Sequence, residues 1–267
     1  MSDTNDSNTP AFVQPVVIQP VAVVQPVVTA PVPPAVTAPA PVAPAPAPVA
    51  AAPAPAPAPV TASGFDVSNI DIAIAIDTSG TMSKTDGNKS GQTRMQASKE
   101  STIALAAEAE KYDPDGITVA RFASKVRIYD GVTEAKVEQI FAEFRPMGST
   151  NTKEAVEQLI NMFLAKRAAA GAAAKPACIV VITDGEPDDK VGLAQVIVNA
   201  SKQLKSRSEL GILFVQVGND PDAAAYLAKL NDDLTSAGAK FDIVAVTKLE
   251  DLEDISPVET FEMAFLD

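Results

Sequence analysis

The stretch IDIAIAIDTSGTM, from Ile70 to Met82, constrains the fold of this chain more than any other. Residues 72–76 alternate isoleucine with alanine and carry no charge, which predicts a central strand covered by helices on both faces. The run is too short to cross a membrane. Asp77, Ser79 and Thr81 follow it at once. They therefore lie at the carboxyl end of the strand, where open α/β sheets keep their ligand sites.

Apolar strand patterns and amphipathic helix patterns alternate through the rest of the chain. We expect further strands at 117–123, 126–130, 178–183, 212–218 and 241–246, with helices at 94–112, 134–144 and 153–170, around residues 193–204, after Pro221 and near the C-terminus. The link Ser124-Lys125 is short enough only for an antiparallel hairpin. The pattern predicts an α/β fold: a doubly wound, Rossmann-like, mostly parallel six-stranded sheet with one antiparallel edge strand and helices on both faces.

The first 62 residues have a different composition. They hold 16 of the 22 prolines, and Asp3 and Asp6 are their only charged side chains. Proline fixes φ and removes a backbone donor, so we expect a disordered Pro/Ala/Val-rich arm over residues 1–62 and one domain over residues 63–267. Two interpretations of the arm stay open: an inert linker, or a docking strip for a separate partner.

The charge of the chain limits its partners. The formal net charge is −13, and the arm contributes −2 of it, which leaves −11 on the predicted domain. Binding to nucleic acid or to an anionic membrane needs a positive field, so we expect neither, and a cation is the more natural ligand. The N-terminus lacks the basic region of a secretory signal, and the prolines oppose a membrane helix, so we expect a cytoplasmic protein.

Cysteine and histidine usage limits the chemistry further. Cys178 is the only cysteine and the chain has no histidine, which excludes an intramolecular disulfide and argues against a zinc site or a Ser/His/Asp triad. Cys178 opens the apolar run CIVVITD and is predicted to be a small buried side chain.

Five oxygen-bearing side chains fall in three loops that this topology brings to one edge of the sheet. They are Asp77, Ser79, Thr81, Thr150 in GSTNT and Asp184 in ITDGE. Two carboxylates with three hydroxyls suit a hard divalent cation rather than zinc or copper. The two carboxylates match the charge of the cation, so one coordination position is left for water or for an acidic group from outside.

At these residues the sequence resembles the von Willebrand factor A domain, over roughly residues 68–255. That family's metal-ion-dependent adhesion site has the pattern Asp-x-Ser-x-Ser, a threonine on a later loop and an aspartate after the fourth strand. This chain departs from the pattern at Thr81, which keeps the hydroxyl. The segment that runs from LGILFVQVG to FDIVAV looks most like the tellurium-resistance and intracellular branch of the family.

The resemblance implies a ligand set and a partner. It implies that Ser79, Thr81 and Thr150 bind Mg²⁺ directly or nearly so, with Mn²⁺ or Ca²⁺ as substitutes, and that Asp77 and Asp184 act directly or through water. An Asp or Glu of a partner protein would complete the coordination. Since these side chains are expected at an exposed rim, alanine at either aspartate should abolish metal binding without unfolding the domain.

Two other interpretations compete with the metal site. Strand-end hydroxyls also cap helices, and Asn151-x-x-Glu154 has the form of a capping box. DTSGT also resembles the nucleophile motif of haloacid-dehalogenase-type phosphatases, which would make the protein a Mg²⁺-dependent phosphohydrolase with Asp77 as nucleophile. That motif needs a second aspartate where this chain has Ser79, so we expect a binding module and not an enzyme.

Overall fold

The computed structural model describes residues 66–87, 89, 91–111 and 116–266, apart from the side chain of Val67. The predicted arm over residues 1–62 and the predicted domain boundary at residue 63 lie outside these residues, and both stay predictions.

Six strands form one sheet in the described part of the chain, in the order β3-β2-β1-β4-β5-β6. Their bounds are β1 Asp71–Asp77, β2 Ile117–Phe122, β3 Val126–Val132, β4 Ala177–Thr183, β5 Leu210–Gln216 and β6 Val244–Lys248. All neighbouring pairs are parallel except β2 and β3, which pair antiparallel from Phe122 opposite Val126. The predicted fold class, with its antiparallel edge strand, is confirmed. The hairpin link has three residues, 123–125, and not the predicted two, because β2 ends at Phe122.

Six α-helices among the described residues cover the two faces of the sheet. They are α1 Arg94–Glu110, α2 Glu134–Ala142, α3 Thr152–Ala170, α4 Lys190–Gln203, α5 Pro221–Asp233 and α6 Pro257–Met263. Side chains of α1, α2 and α6 share one apolar cluster with the sheet, and those of α3, α4 and α5 share the other. None of these described helices is long and apolar enough to cross a lipid bilayer.

The alternation in β1 explains how the two layers divide the strand. Ile72, Ile74 and Ile76 belong to the cluster on the α1 side, whereas Ala75 belongs to the cluster on the α3 side. Successive side chains of a strand point to opposite faces, so large and small residues separate by face. The strand is thereby buried on both sides, as its sequence predicts, and its carboxyl end is fixed in position.

Two predicted strands are displaced along the chain. β5 starts two residues before the predicted residue 212 and ends at Gln216, because its register with β4 pairs Thr183 with Gln216 at the end of both strands. β6 starts at Val244 instead of residue 241, because its pairing with β5 begins where Val244 meets Ile212. An apolar pattern within one strand does not determine which residues pair with the neighbouring strand, so it does not fix where the strand begins and ends.

Candidate metal centre

Asp77 ends β1 as a buried carboxylate with both oxygens engaged. Its side chain is fully buried. Oδ1 accepts a hydrogen bond from the backbone N–H of Ser79 at 2.8 Å, and Oδ2 accepts one from the hydroxyl of Thr183 at 2.8 Å. The first bond fixes the turn after β1 and the second joins β1 to the end of β4, so Asp77 positions the loops that carry the other predicted ligands.

A chain of short oxygen contacts runs from the first loop to the third. Ser79 Oγ and Thr81 Oγ1 are 3.0 Å apart, and Thr81 Oγ1 donates to Asp184 Oδ1 at 2.8 Å. A single 3₁₀ turn over Gly80–Ser83 brings the two hydroxyls together. Ser79 and Asp184 are buried, whereas Thr81 is exposed to solvent. Four of the five predicted ligands therefore meet at the carboxyl ends of β1 and β4.

Thr150 lies on a loop that is hydrogen bonded between the other two. The Gly80 N–H donates to the Gly148 carbonyl at 3.2 Å, and the Thr150 N–H donates to Asp188 Oδ1 at 3.1 Å. Within the described residues, no hydrogen bond links the side chain of Thr150 to the other four predicted ligands. The structure thus brings the Thr150 loop to the site without joining its hydroxyl to the cluster.

The helix-cap interpretation applies beside the site, at Asn151. Its side chain accepts from the Glu154 N–H at 3.4 Å, as a cap of α3 does. The Glu154 carboxylate accepts a hydrogen bond from the side-chain amide of Asn151 at 2.6 Å. In a complete capping box it would accept from the backbone N–H of Asn151, but that N–H donates to the Ala123 carbonyl. The predicted capping box is therefore half formed, and Asn151 rather than Thr150 is the capping residue.

The expectation that both aspartates lie at an exposed rim is wrong. Asp77 and Asp184 are fully buried, and each is hydrogen bonded to groups of other loops or strands, Asp77 to Thr183 and Asp184 to Thr81 and Arg94. Burial raises the pKa of Asp77 to about 6, the nearby charge of Asp184 adds to this rise, and the hydrogen bond from Ser79 opposes it. Each carboxylate accepts hydrogen bonds from buried groups, Thr183 for Asp77 and Arg94 for Asp184. Alanine at either position would leave those groups unpaired, so it is expected to disturb the fold as well as the site.

Arg94 is the residue of the site that sequence reasoning missed. Its guanidinium is buried and donates from Nη1 to Asp184 Oδ2 at 2.8 Å, while Nε and Nη2 each donate to one oxygen of Asp86 at 2.7 Å. These bonds lower the pKa of Asp86 and raise that of Arg94. One signal was present in the sequence: an arginine at the first position of α1 opposes the helix dipole, which points to a tertiary role.

Oxygen spacing in the cluster fits a small hard cation. Octahedral Mg²⁺, with ligands at about 2.1 Å, places neighbouring oxygens about 3 Å apart. The Ser79–Thr81 and Thr81–Asp184 contacts of 3.0 and 2.8 Å are hydrogen bonds, and a cation could replace their protons with little movement of the oxygens. No group of three or more Asp, Glu, His or Cys side chains in the described residues is placed to hold a metal. A cation at this site would therefore depend on the hydroxyls of Ser79 and Thr81 as well as on the carboxylates.

Comparisons with known proteins give one family and several distant structures. Residues 72–186 match the family model of the von Willebrand factor type A domain. No curated protein matches the chain. Similar solved structures are a mutant of the PilB minor pilin from Streptococcus sanguinis, at 14% identity and TM-score 0.48, and the manganese-loaded TRAP protein of Plasmodium vivax, at 15% and 0.48. Proximal thread matrix protein 1 from the mussel byssus follows at 13% and 0.45.

The alignments with these structures are partial. They cover 73% of this chain and 60% of the pilin, 73% and 74% of the TRAP protein, and 72% and 46% of the mussel protein. The chain thus spans about three fifths of the pilin's length. The family match includes all five predicted ligand residues. Over residues 72–186, this chain is similar to the von Willebrand factor type A domain.

Proposed function

We propose that the protein is a divalent-metal-dependent protein-binding module that serves as an adaptor or scaffold. The observation that carries the proposal is the contact chain from Ser79 through Thr81 to Asp184, with the Asp77 carboxylate behind it. This set consists of oxygen donors alone, which favours Mg²⁺, with Mn²⁺ or Ca²⁺ as substitutes.

The residues of the site would have different roles toward a bound cation. Ser79 and Thr81 would supply hydroxyl ligands, and Asp184 would supply Oδ1, which already faces Thr81. Asp77 would act mainly through its charge, since both its oxygens hold the loops in place. Thr150 would join this set from a loop that is hydrogen bonded to the loops of Gly80 and Asp188. A bound divalent cation would present an open coordination position at the exposed side of Thr81, where an Asp or Glu of a partner protein can bind.

Phosphohydrolysis is the weaker alternative on physical grounds. A nucleophilic Asp77 would need a free oxygen aimed at the substrate, but each oxygen accepts a hydrogen bond and the side chain is buried. The hydroxyl of Ser79 stands where a second carboxylate would transfer protons. Release of phosphate from p-nitrophenyl phosphate with Mg²⁺, lost in Asp77→Asn, would favour this alternative.

The biological setting extends the proposal. The likeness of residues 210–246 to the tellurium-resistance branch supports a role in a stress or phage-related system, with the binding module acting inside the cell. The Pro-rich arm would then carry a separate partner or set the reach of the module. Capture experiments on the full chain and on a chain that begins at residue 63, each with and without EDTA, separate what the arm binds from what the metal binds.

Calorimetric titration of the full chain with Mg²⁺ tests the metal site. Thr81→Val keeps the shape of an exposed side chain and removes its hydroxyl, so we expect at least a tenfold loss of affinity, and Asp184→Asn should bind still more weakly. Asp254→Asn is the control, because it changes an exposed carboxylate elsewhere and should bind as the wild type does. Equal heats for the wild type and both site variants would contradict the proposal.

A further inference from the structure

We propose that Arg94 is a positioning residue that lowers the affinity of the metal centre for its cation and raises the preference of the loaded centre for a carboxylate. The inference rests on the proposed function. The two carboxylate oxygens of Asp184 have different partners: Oδ1 accepts from Thr81 and Oδ2 accepts from Arg94. With one oxygen held by the guanidinium, Asp184 has a single oxygen to offer a cation.

The guanidinium is held in place from three sides. Asp86 binds it with two parallel hydrogen bonds of 2.7 Å, the fork geometry that only arginine supplies. Asp184 holds the second side. Gly218, after β5, lies so close that an added Cβ would be 2.4 Å from Nε of Arg94. The positive charge is therefore fixed behind the cluster and cannot swing away when a cation arrives.

Charge decides what this arrangement does. Asp77 and Asp184 together balance a divalent cation, and the buried Arg94 adds one further positive charge behind Asp184. Asp86 offsets it only in part, because the Asp86 side chain is 41% exposed and water screens it, while that of Arg94 is 3% exposed. A loaded centre with surplus positive potential binds its cation less tightly and attracts an anionic sixth ligand more strongly.

The same pair stabilises the metal-free protein. Without a cation, two buried carboxylates near each other would repel, and Arg94 supplies the counter-charge to one of them. The domain should therefore stay folded without metal, which allows the centre to bind and release its cation. A centre with weak cation binding and strong carboxylate preference suits capture that needs cation and partner together.

Two variants test the assignment, with Mn²⁺ alone as the first probe and acetate as the carboxylate probe. Arg94→Gln should bind Mn²⁺ about tenfold more tightly, and its Mn²⁺-loaded form should bind acetate about tenfold more weakly. Asp86→Asn should bind Mn²⁺ at least threefold more weakly, because Arg94 then pairs with Asp184 alone. Calorimetry gives the Mn²⁺ affinity of the full chain, and water-proton relaxation of the loaded protein gives the acetate affinity.

Glu186→Gln is the matched control for charge, because it removes a negative charge two residues after Asp184, where the carboxylate pairs with Lys190 instead of Arg94. Its Mn²⁺ affinity should stay within twofold of the wild type. A folded Arg94→Gln with unchanged or weaker Mn²⁺ binding overturns the inference. If Arg94→Gln does not fold, Asp86→Asn decides, and an effect no larger than that of Glu186→Gln overturns it. If the wild type binds no Mn²⁺, the proposed function is refuted, and the inference with it.

Discussion

Arg94 Nη1 lies 2.8 Å from Asp184 Oδ2, and both side chains are buried. This ion pair joins the start of α1 to the end of β4 directly behind the hydroxyls of the candidate metal centre. Removal of one partner would leave the other as an unpaired buried charge, so the pair links the stability of the domain to the site.

Breaking this pair should destabilise the domain. Asp184→Asn leaves the buried guanidinium with Asp86 as its only carboxylate, so we expect a loss of about 3 kcal/mol in the free energy of unfolding. Asp86→Asn should cost less, because the Asp86 side chain is 41% exposed and water replaces part of its role. Urea unfolding without metal, followed by circular dichroism, measures both. An equal or smaller loss in Asp184→Asn would contradict the buried pair.

The metal-free protein should lose stability as the pH rises. The folded protein holds the proton of Asp77 with a pKa of about 6, against the ordinary 3.8. Stability from this proton is fully present below the ordinary pKa and is lost as the pH rises through the folded value. The difference corresponds to about 3 kcal/mol.

Asp77→Asn isolates this effect, because its amide does not titrate. Between about pH 4 and about pH 7, the metal-free wild type should lose more stability than Asp77→Asn. Mg²⁺ favours the ionised carboxylate, so saturating Mg²⁺ should reduce the difference. Urea unfolding curves at several pH values give the comparison, and equal slopes for the two proteins would show that Asp77 ionises normally.

Thr183→Val should affect the site through Asp77. The variant removes the hydroxyl that donates to Asp77 Oδ2 at 2.8 Å and leaves a buried oxygen without that partner. We expect a loss of about 1–2 kcal/mol in stability and weaker Mg²⁺ binding near pH 7, because the charged form of Asp77 is less favoured. Thr247→Val changes a buried threonine on β6 and should leave Mg²⁺ binding unaltered. Wild-type affinity in Thr183→Val would separate this bond from the metal site.

Gly218→Ala should be costlier than another glycine substitution with the same backbone requirement. Gly218 and Gly91 both have positive φ, at 76° and 75°, so alanine meets a backbone cost of about 1 kcal/mol at either position. At Gly218 the new Cβ also meets Arg94, whereas nothing lies within 4 Å at Gly91. We expect Gly218→Ala to lose about 2 kcal/mol more than Gly91→Ala in thermal unfolding. Similar losses would show that Arg94 moves freely.

The sequence was sufficient for the sheet and for most of the cluster. β1 carries its own polar residues, so Asp77, Ser79 and Thr81 come together by local chain order. Asp184 joins them because β1 and β4 are parallel neighbours, whose carboxyl ends meet at one edge. These relationships follow from periodicity and topology, which a sequence displays.

Arg94 and the burial of the aspartates were not predictable in the same way. Asp86, Arg94 and Asp184 are brought together by the fold of the loop that precedes α1, and no short-range pattern encodes that meeting. The displaced starts of β5 and β6 depend on partner register for the same physical reason: the deciding contacts are distant in sequence.

Cys178 lies in β4, fully buried, and burial raises the pKa of its thiol to about 12. As the only sulfhydryl of the chain, it can be alkylated only when the domain opens. Its labelling rate with a maleimide is therefore a natural reporter of transient unfolding, with no introduced probe. Saturating Mg²⁺ should slow this labelling if the cation binds the folded domain, and an unchanged rate would indicate that it does not.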